Sequence, residues 1–266
     1  MFDRYNRQIN YLRISVTDRC NLRCSYCMPV EGIKLLPGEE ILSFEEIAVV
    51  VKAAAGLGIE KFRLTGGEPL VREGISSLVA MLAAIPGVKE LVMSTNGILL
   101  RRYAADLRKA GLQRVNVSLD TVDPGHYHEL TRGGNLDAVL EGIDAAIENG
   151  LLPVKINCVV LESSEEPNAR EVKKFCDSRG LGLRYIHMMS LPGGVFSEVE
   201  GGNGGVCGSC NRLRLTSNGM VKPCLFDEQE FPVRILGAEQ ALRAAIQDKP
   251  ARGGKNRFGT FYGIGG

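Results

Sequence analysis

Six short runs of alternating polarity punctuate the first 190 residues: YLRISV (11–16), KFRLT (61–65), ELVMS (90–94), RVNVSLD (114–120), PVKINCVV (153–160) and LRYIHM (183–188). Side chains on a strand point alternately to its two faces. Leu12, Ile14 and Val16 therefore share one face while Arg13, Ser15 and Thr17 share the other. The same split sets Phe62 and Leu64 against Lys61, Arg63 and Thr65; Val115, Val117 and Leu119 against Asn116, Ser118 and Asp120; and Val154, Ile156 and Cys158 against Lys155 and Asn157. Helical spacing fills most of the intervals. Ser43 with Glu46 three residues on predicts a capping box, followed by Ile47, Val50, Val51 and Ala54 at helical intervals. After Asn135, a stripe of Leu136, Val139, Leu140, Ile143 and Ile147 runs to a stop at Gly150. Alternating strand and helix predicts an α/β fold with a parallel sheet, and six such units suggest an incomplete barrel or a doubly wound sheet. The fold expected is an incomplete (β/α)6 TIM-type barrel with a small carboxyl-terminal subdomain.

The helices need an apolar sheet face to pack on, so the polar set should point into the barrel. A packed barrel interior is built of Val, Ile and Leu layers. This one would present Arg13, Lys61, Arg63, Lys155 and Arg184. Burying several like charges without partners costs several kcal/mol each, so the interior must hold water, counter-charges or an anionic ligand. Asp120 and Glu68 are the acids that could pair with them.

From about Leu191 the texture changes: LPGGVFSEVEGGNGGV is glycine-rich and has no usable period. The expected organisation is a partial barrel over 1–190, a connection over 191–205 and a carboxyl-terminal region over 206–266. In that last region NRLRLT reads as a strand, with Arg212 and Arg214 on one face, and EQALRAAI as a short helix. With 266 residues, 44% hydrophobic and 24% charged, the chain can bury a full core. A net charge of +1 creates no global field for nucleic acid or an anionic membrane, so neither partner is expected. No apolar run is long enough to span a bilayer, and MFDRYNRQIN has no signal-peptide core, which predicts a cytoplasmic protein.

In a reducing compartment eight cysteines are metal ligands more readily than disulfides, and six of them fall into two triples. Cys158 and Cys176 lie in apolar periodic segments and read as buried free thiols. CNLRCSYC contributes Cys20, Cys24 and Cys27; CGSC contributes Cys207 and Cys210, followed by Cys224. Structural zinc takes four ligands, so each triple lacks one. Three cysteines can instead hold three corners of a [4Fe–4S] cube, leaving one iron open to a non-protein ligand. Zinc completed by a remote histidine is the alternative, with His126, His128 and His187 available.

The spacing CxxxCxxC, with Tyr26 just before its last cysteine, and the GGEP turn in LTGGEPL (64–70) resemble the radical S-adenosylmethionine enzymes. Further stretches, RISVTDRCNLRCSYCMP, LTGGEPLVR, NVSLDT, TRGG, VKIN, CGSCNRLRLTSNG and KPCLF, resemble in order the branch of that family that cyclises GTP at the start of molybdenum cofactor biosynthesis. The resemblance implies two [4Fe–4S] clusters, one on each triple, with S-adenosylmethionine on the open iron of the first and guanine on that of the second. Tyr26, Gly67, Ser118 and Met189 match positions that contact S-adenosylmethionine. Arg13, Arg63, Ser94, Lys155, Arg212 and Arg214 match positions that contact GTP, with Lys61, Asn157 and Arg184 beside them. The implied reaction removes the C3′ hydrogen of GTP with a 5′-deoxyadenosyl radical and joins C3′ to C8. It also implies a one-electron donor, a downstream cyclic pyranopterin monophosphate synthase, a possible homodimer, and a part in the radical step for the terminal Gly265 and Gly266. A peptide-modifying relative and a zinc-stabilised binding module stay open as alternatives. The chain departs from that branch in having only seventeen residues between Met189 and Cys207, and in carrying Phe261 and Gly263 near its end.

Overall fold

A computed structural model describes the chain apart from residues 258, 265 and 266, and of Tyr262 only the backbone. All six alternating runs form strands: β1 (Tyr11–Ser15), β2 (Lys61–Thr65), β3 (Glu90–Thr95), β4 (Arg114–Ser118), β5 (Lys155–Val160) and β6 (Gly182–His187). Between them lie α1 (Phe44–Gly56), α2 (Ile75–Ala83), α3 (Leu100–Lys109), α4 (Pro124–Thr131), α5 (Leu136–Glu148) and α6 (Pro167–Arg179). The capping box closes as predicted: the Glu46 amide donates to the Ser43 hydroxyl at 3.1 Å, and the Ser43 amide to the Glu46 carboxylate at 2.7 Å. Asn135 caps α5 by accepting from the Asp137 amide at 2.9 Å.

Strands β1 to β6 are parallel and lie side by side in sequence order. Every crossover therefore advances in the same direction, which gives a partial barrel. A doubly wound sheet would need a point where the order reverses. The faces divide as the alternation requires. Leu12, Ile14, Phe62, Leu64, Val115, Val117, Ile156 and Cys158 are fully buried under the helices, and Cys176 is a second buried free thiol.

The carboxyl-terminal region does not stand apart. The strand β7 (Arg212–Leu215) pairs in parallel with β1, placing Arg214 opposite Arg13. Two short strands, β8 (Met220–Lys222) and β9 (Phe231–Pro232), continue the sheet antiparallel beyond it. After α7 (Val233–Leu236), α8 (Ala238–Gln247) buries Ala241, Leu242, Ala245 and Ile246 in the same core that receives α1. Among the described residues a small second cluster, Leu191, Leu225, Phe226 and Ile264, is separate, with Phe196 against Phe226 at 4.5 Å between ring centres.

The glycine-rich connection is ordered by the edge of β6. Tyr185 and Glu200 exchange both backbone hydrogen bonds at 3.1 Å, and Ser190 and Val195 do the same at 2.9 Å. Gly205 has φ +85°, and a Cβ there would stand 2.2 Å from the Ser197 carbonyl oxygen, so only glycine fits the turn that returns the chain toward β7.

Candidate active site

The loop after β1 carries the first cysteine triple, and the GGEP turn after β2 seats it. The Gly67 amide donates to the Thr17 carbonyl and the Glu68 amide to the Arg19 carbonyl, both at 2.8 Å. A Cβ on Gly67 would lie 2.4 Å from the Arg19 carbonyl oxygen, so the two loops approach more closely than a side chain allows. From the other side, Arg132 (φ +54°), in the TRGG stretch, donates to the Arg23 and Met28 carbonyls at 3.0 and 2.8 Å. The Tyr26 hydroxyl donates to Asp120 at 2.7 Å, and the Val159 amide donates to the same carboxylate at 2.7 Å. Burial and the facing Asp120 carboxylate hold the Tyr26 phenol far above its usual range.

Cys20, Cys24, Tyr26, Cys27, Gly67, Ser94, Ser118 and Met189 line one cavity of about 210 Å³. Every residue matched to S-adenosylmethionine or to its cluster is thus brought together. Burial pushes the Cys20 thiol up to about 11 and the Cys24 thiol to about 12, and it raises Cys27 as well. Such thiols keep their protons until a metal displaces them. Among the described residues no three His, Cys, Asp or Glu side chains close to the spacing of a single metal ion. His187 is engaged by Glu200 at 2.9 Å rather than by any cysteine. A cube carries its thiolates on outer corners and suits this looser triple better than tetrahedral zinc does.

A second cavity, of about 380 Å³, occupies the barrel interior. Arg13, Lys61, Arg63, Lys155, Arg184 and Arg212 line it, with Asn116 and Asn157 between them. Asn157 and Ile186 line both cavities, so the two are contiguous. Glu68 and Asp120 do not neutralise the chamber. Glu68 accepts from the Leu70 amide at 3.0 Å, the Thr95 hydroxyl at 2.7 Å and the Asn96 amide at 2.6 Å, while Asp120 holds Tyr26. Lys61 does find a carboxylate, Glu90 at 2.7 Å. Arg63 donates to the Tyr11 hydroxyl at 2.5 Å and to Ser94 at 2.9 Å, which places Ser94 where the two cavities meet. Burial and the neighbouring Arg214 hold Arg13 well below the usual arginine range. Burial and then Arg63 lower Arg184, and burial and then Arg184 lower Lys155. Cations that depress one another in this way mark a space that favours an anion.

Arg214 does not line the chamber. It lies beside Arg13, and burial and Arg212 bring it down to about 10, while Cys224 and Cys210 pull it the other way. Cys207 and Cys210 flank a single turn, the Cys210 amide donating to the Cys207 carbonyl at 3.2 Å. Cys224 follows β8 and shares an electrostatic neighbourhood with Cys210. Neither cavity is lined by this triple. Because β7 runs parallel to β1, the two triples lie at opposite ends of the same strand pair, separated by at least the length of β1, roughly 13 Å. Gly265 and Gly266 lie outside the described residues. The sequence reading missed Arg132, the anchoring role of Asp120, and Glu68 as the hub beneath the GGEP turn. Only the TRGG and GGEP stretches signalled any of these in advance.

The model of the Radical SAM superfamily matches residues 14–176. The chain is 40% identical to the GTP 3′,8-cyclase of Alkaliphilus oremlandii over 302 aligned positions, covering 95% of this chain and 94% of the relative. It is 39% identical to the GTP 3′,8-cyclase of Geobacter sulfurreducens (96% and 94% covered) and 42% identical to that of Pelotomaculum thermopropionicum (93% and 92% covered). An alignment of 302 positions exceeds the 266 residues of the chain, so the relative has residues that this chain lacks. Among solved structures, native anSMEcpe with bound AdoMet superposes with a TM-score of 0.60 at 15% identity, covering 91% of this chain and 81% of that one. Methylornithine synthase (PylB) superposes with a TM-score of 0.57 at 19% identity, covering 69% and 54%. These two likenesses establish the fold. The matched family model and the full-length identity to the cyclases place the chain in the radical SAM superfamily, in the family of the GTP 3′,8-cyclases.

Proposed function

We infer that the chain converts GTP to (8S)-3′,8-cyclo-7,8-dihydroguanosine 5′-triphosphate, the first step of molybdenum cofactor biosynthesis, using two [4Fe–4S] clusters and S-adenosylmethionine. The observation that carries this reading is the cationic chamber opening onto the cysteine-lined cavity, with a second thiolate triple at the far end of the same strands. When bound, the clusters and S-adenosylmethionine supply one-electron reductive cleavage and hydrogen abstraction. The chain supplies the rest. Cys20, Cys24 and Cys27 would hold the first cluster. Gly67, Ser118, Met189 and the backbone around Tyr26 would bind S-adenosylmethionine beside it. Arg13, Arg63, Lys155 and Arg212 would take the triphosphate, since arginine forks match phosphate oxygens two at a time. Ser94, bonded to Arg63 at the junction, would orient the ribose toward the first cavity. Arg214 would face the second cluster, on Cys207, Cys210 and Cys224, rather than the phosphates.

A peptide substrate would leave the chamber's cations without counter-charge, which disfavours a peptide-modifying activity. The reading carries with it a one-electron donor, and cyclic pyranopterin monophosphate synthase as the enzyme that takes the product. Among the described residues no helix is long and apolar enough to cross a membrane. An anaerobic incubation of reconstituted protein with GTP, S-adenosylmethionine and a reductant, read by mass spectrometry, tests the reading. A product isomeric with GTP, formed with 5′-deoxyadenosine, is expected; cleavage of S-adenosylmethionine with GTP returned intact would overturn it.

A further inference from the structure

Lys249, two residues after α8, is 1% exposed. A buried ammonium costs several kcal/mol unless an opposite charge answers it. Two other buried cations outside the chamber have such an answer: Arg7 pairs with Asp3 at 2.7 Å and Lys222 with Glu230 at 2.8 Å. Among the described residues no carboxylate pairs with Lys249. Its Nζ donates to the Arg212 carbonyl at 2.7 Å and to the Pro223 carbonyl at 2.6 Å. Those carbonyls belong to the residues two after Cys210 and one before Cys224. The same ammonium lies close enough to Cys210 to act on it electrostatically. Arg7 completes the frame. It donates to the Cys207 carbonyl at 2.8 Å and to the Pro250 carbonyl at 2.7 Å, tying the remaining cysteine to the residue next to Lys249.

We propose that Lys249 is the charge partner and positioning residue of the second thiolate triple: it fixes the spacing of Cys210 and Cys224 through the carbonyls beside them, and its ammonium makes the anionic cluster held there easier to reduce. The inference rests on the reading of Cys207, Cys210 and Cys224 as cluster ligands. Three thiolates and an iron–sulfur core carry net negative charge that grows on reduction, so a cation fixed against one ligand favours the reduced state. Lys249 acts through the cysteines and is not assigned a part in the chemistry at GTP.

The test uses the full chain with Cys24→Ala, which leaves only the second cluster to be observed, and compares it anaerobically reconstituted with and without Lys249→Gln and Lys249→Arg. Iron and sulfide are assayed after a chelator challenge, and the midpoint potential is read by paramagnetic resonance during a redox titration. Glutamine lacks the charge, is one bond shorter and offers two amide protons in place of three. It should move the midpoint to more negative potential and reduce the iron retained by about tenfold, the size typical of groups that support metal ligands. Lys249→Arg should stay near the parent in both. Equal potential and iron in Lys249→Gln and its parent overturn the proposal while leaving the cluster reading intact. A Cys24→Ala protein that takes up no iron overturns both. Should Lys249→Gln not fold, Lys249→Arg decides alone, and loss of the cluster from that charged variant refutes the assignment.

Discussion

Replacing Arg184 with methionine should move stability and affinity in opposite directions. Arg184 lines the chamber from β6, and its Nε is buried without a hydrogen-bond partner. Burial, then Arg63, then Arg114 depress its charged form. A buried donor left unsatisfied costs about 1–3 kcal/mol, and methionine keeps an unbranched stem while removing both the donor and the charge. After allowance for lost packing of the guanidinium plane, the ligand-free variant should gain about 1 kcal/mol, or roughly 2–4 °C in Tm for a chain of this size. With GTP the sign reverses. A hydrogen bond to a charged group contributes about 1.5–3 kcal/mol, so Kd should rise roughly 10- to 150-fold. Titration calorimetry with GTP on anaerobically reconstituted protein, without S-adenosylmethionine, measures the second quantity, and a thermal melt of the same preparation measures the first. A variant that melts lower than the parent and binds GTP within about threefold of it would show that Arg184 packs the barrel and does not await an anion.

Gly67→Ala places a methyl 2.4 Å from the Arg19 carbonyl oxygen and must spread the turn from the cysteine loop; S-adenosylmethionine affinity, followed by equilibrium dialysis, should fall about tenfold or more, while the iron of the second triple is retained. Burial raises the Glu68 carboxyl from 4.5 to about 7 against its three hydrogen bonds. The folded chain therefore binds a proton there that the unfolded chain has released, and stability relative to Glu68→Gln should decline as pH rises from about 4.5 to about 7, by at most about 1.4 kcal/mol per unit, and level off above. Urea melts of the two proteins across that range check this, and a constant difference between them contradicts it. Cys24→Ala should abolish reductive cleavage of S-adenosylmethionine, seen as loss of 5′-deoxyadenosine by chromatography; retained cleavage removes the first triple from the reaction.

Period-two alternation makes the barrel legible in the sequence alone. A strand such as RVNVS has to turn Val115 and Val117 to the helices, and that leaves Asn116 and Ser118 for the interior. The cationic chamber followed from the same parity. The attachment of β7 to β1 was not legible, because RLRL offers an apolar face and a basic face to any strand edge, and which edge is open depends on the whole sheet. Glu68 and Asp120 were readable as acids but not as anchors: their donors, such as Asn96 and Val159, are backbone amides that leave no trace in side-chain identity. Lys249 escaped for a related reason. Its partners lie 26 and 37 residues away and are carbonyls, so nothing in KPARGG separates it from a solvated lysine.

The β1–β7 ladder also decides where this chain can change length. Sliding β7 by a single residue along β1 would take Arg212 out of the cationic chamber and Arg214 from beside Arg13 and bring Leu213 and Leu215 to that face, so an insertion or deletion inside either strand disrupts the chamber. The stretch from Ser190 to Val206 lies outside both strands but is tied down at fixed points, Glu200 by its pairing with Tyr185 and Gly205 by the turn toward β7. A change of length is accommodated between those fixed points, while the separation of the two cysteine triples is set by the β1–β7 pairing rather than by the connection.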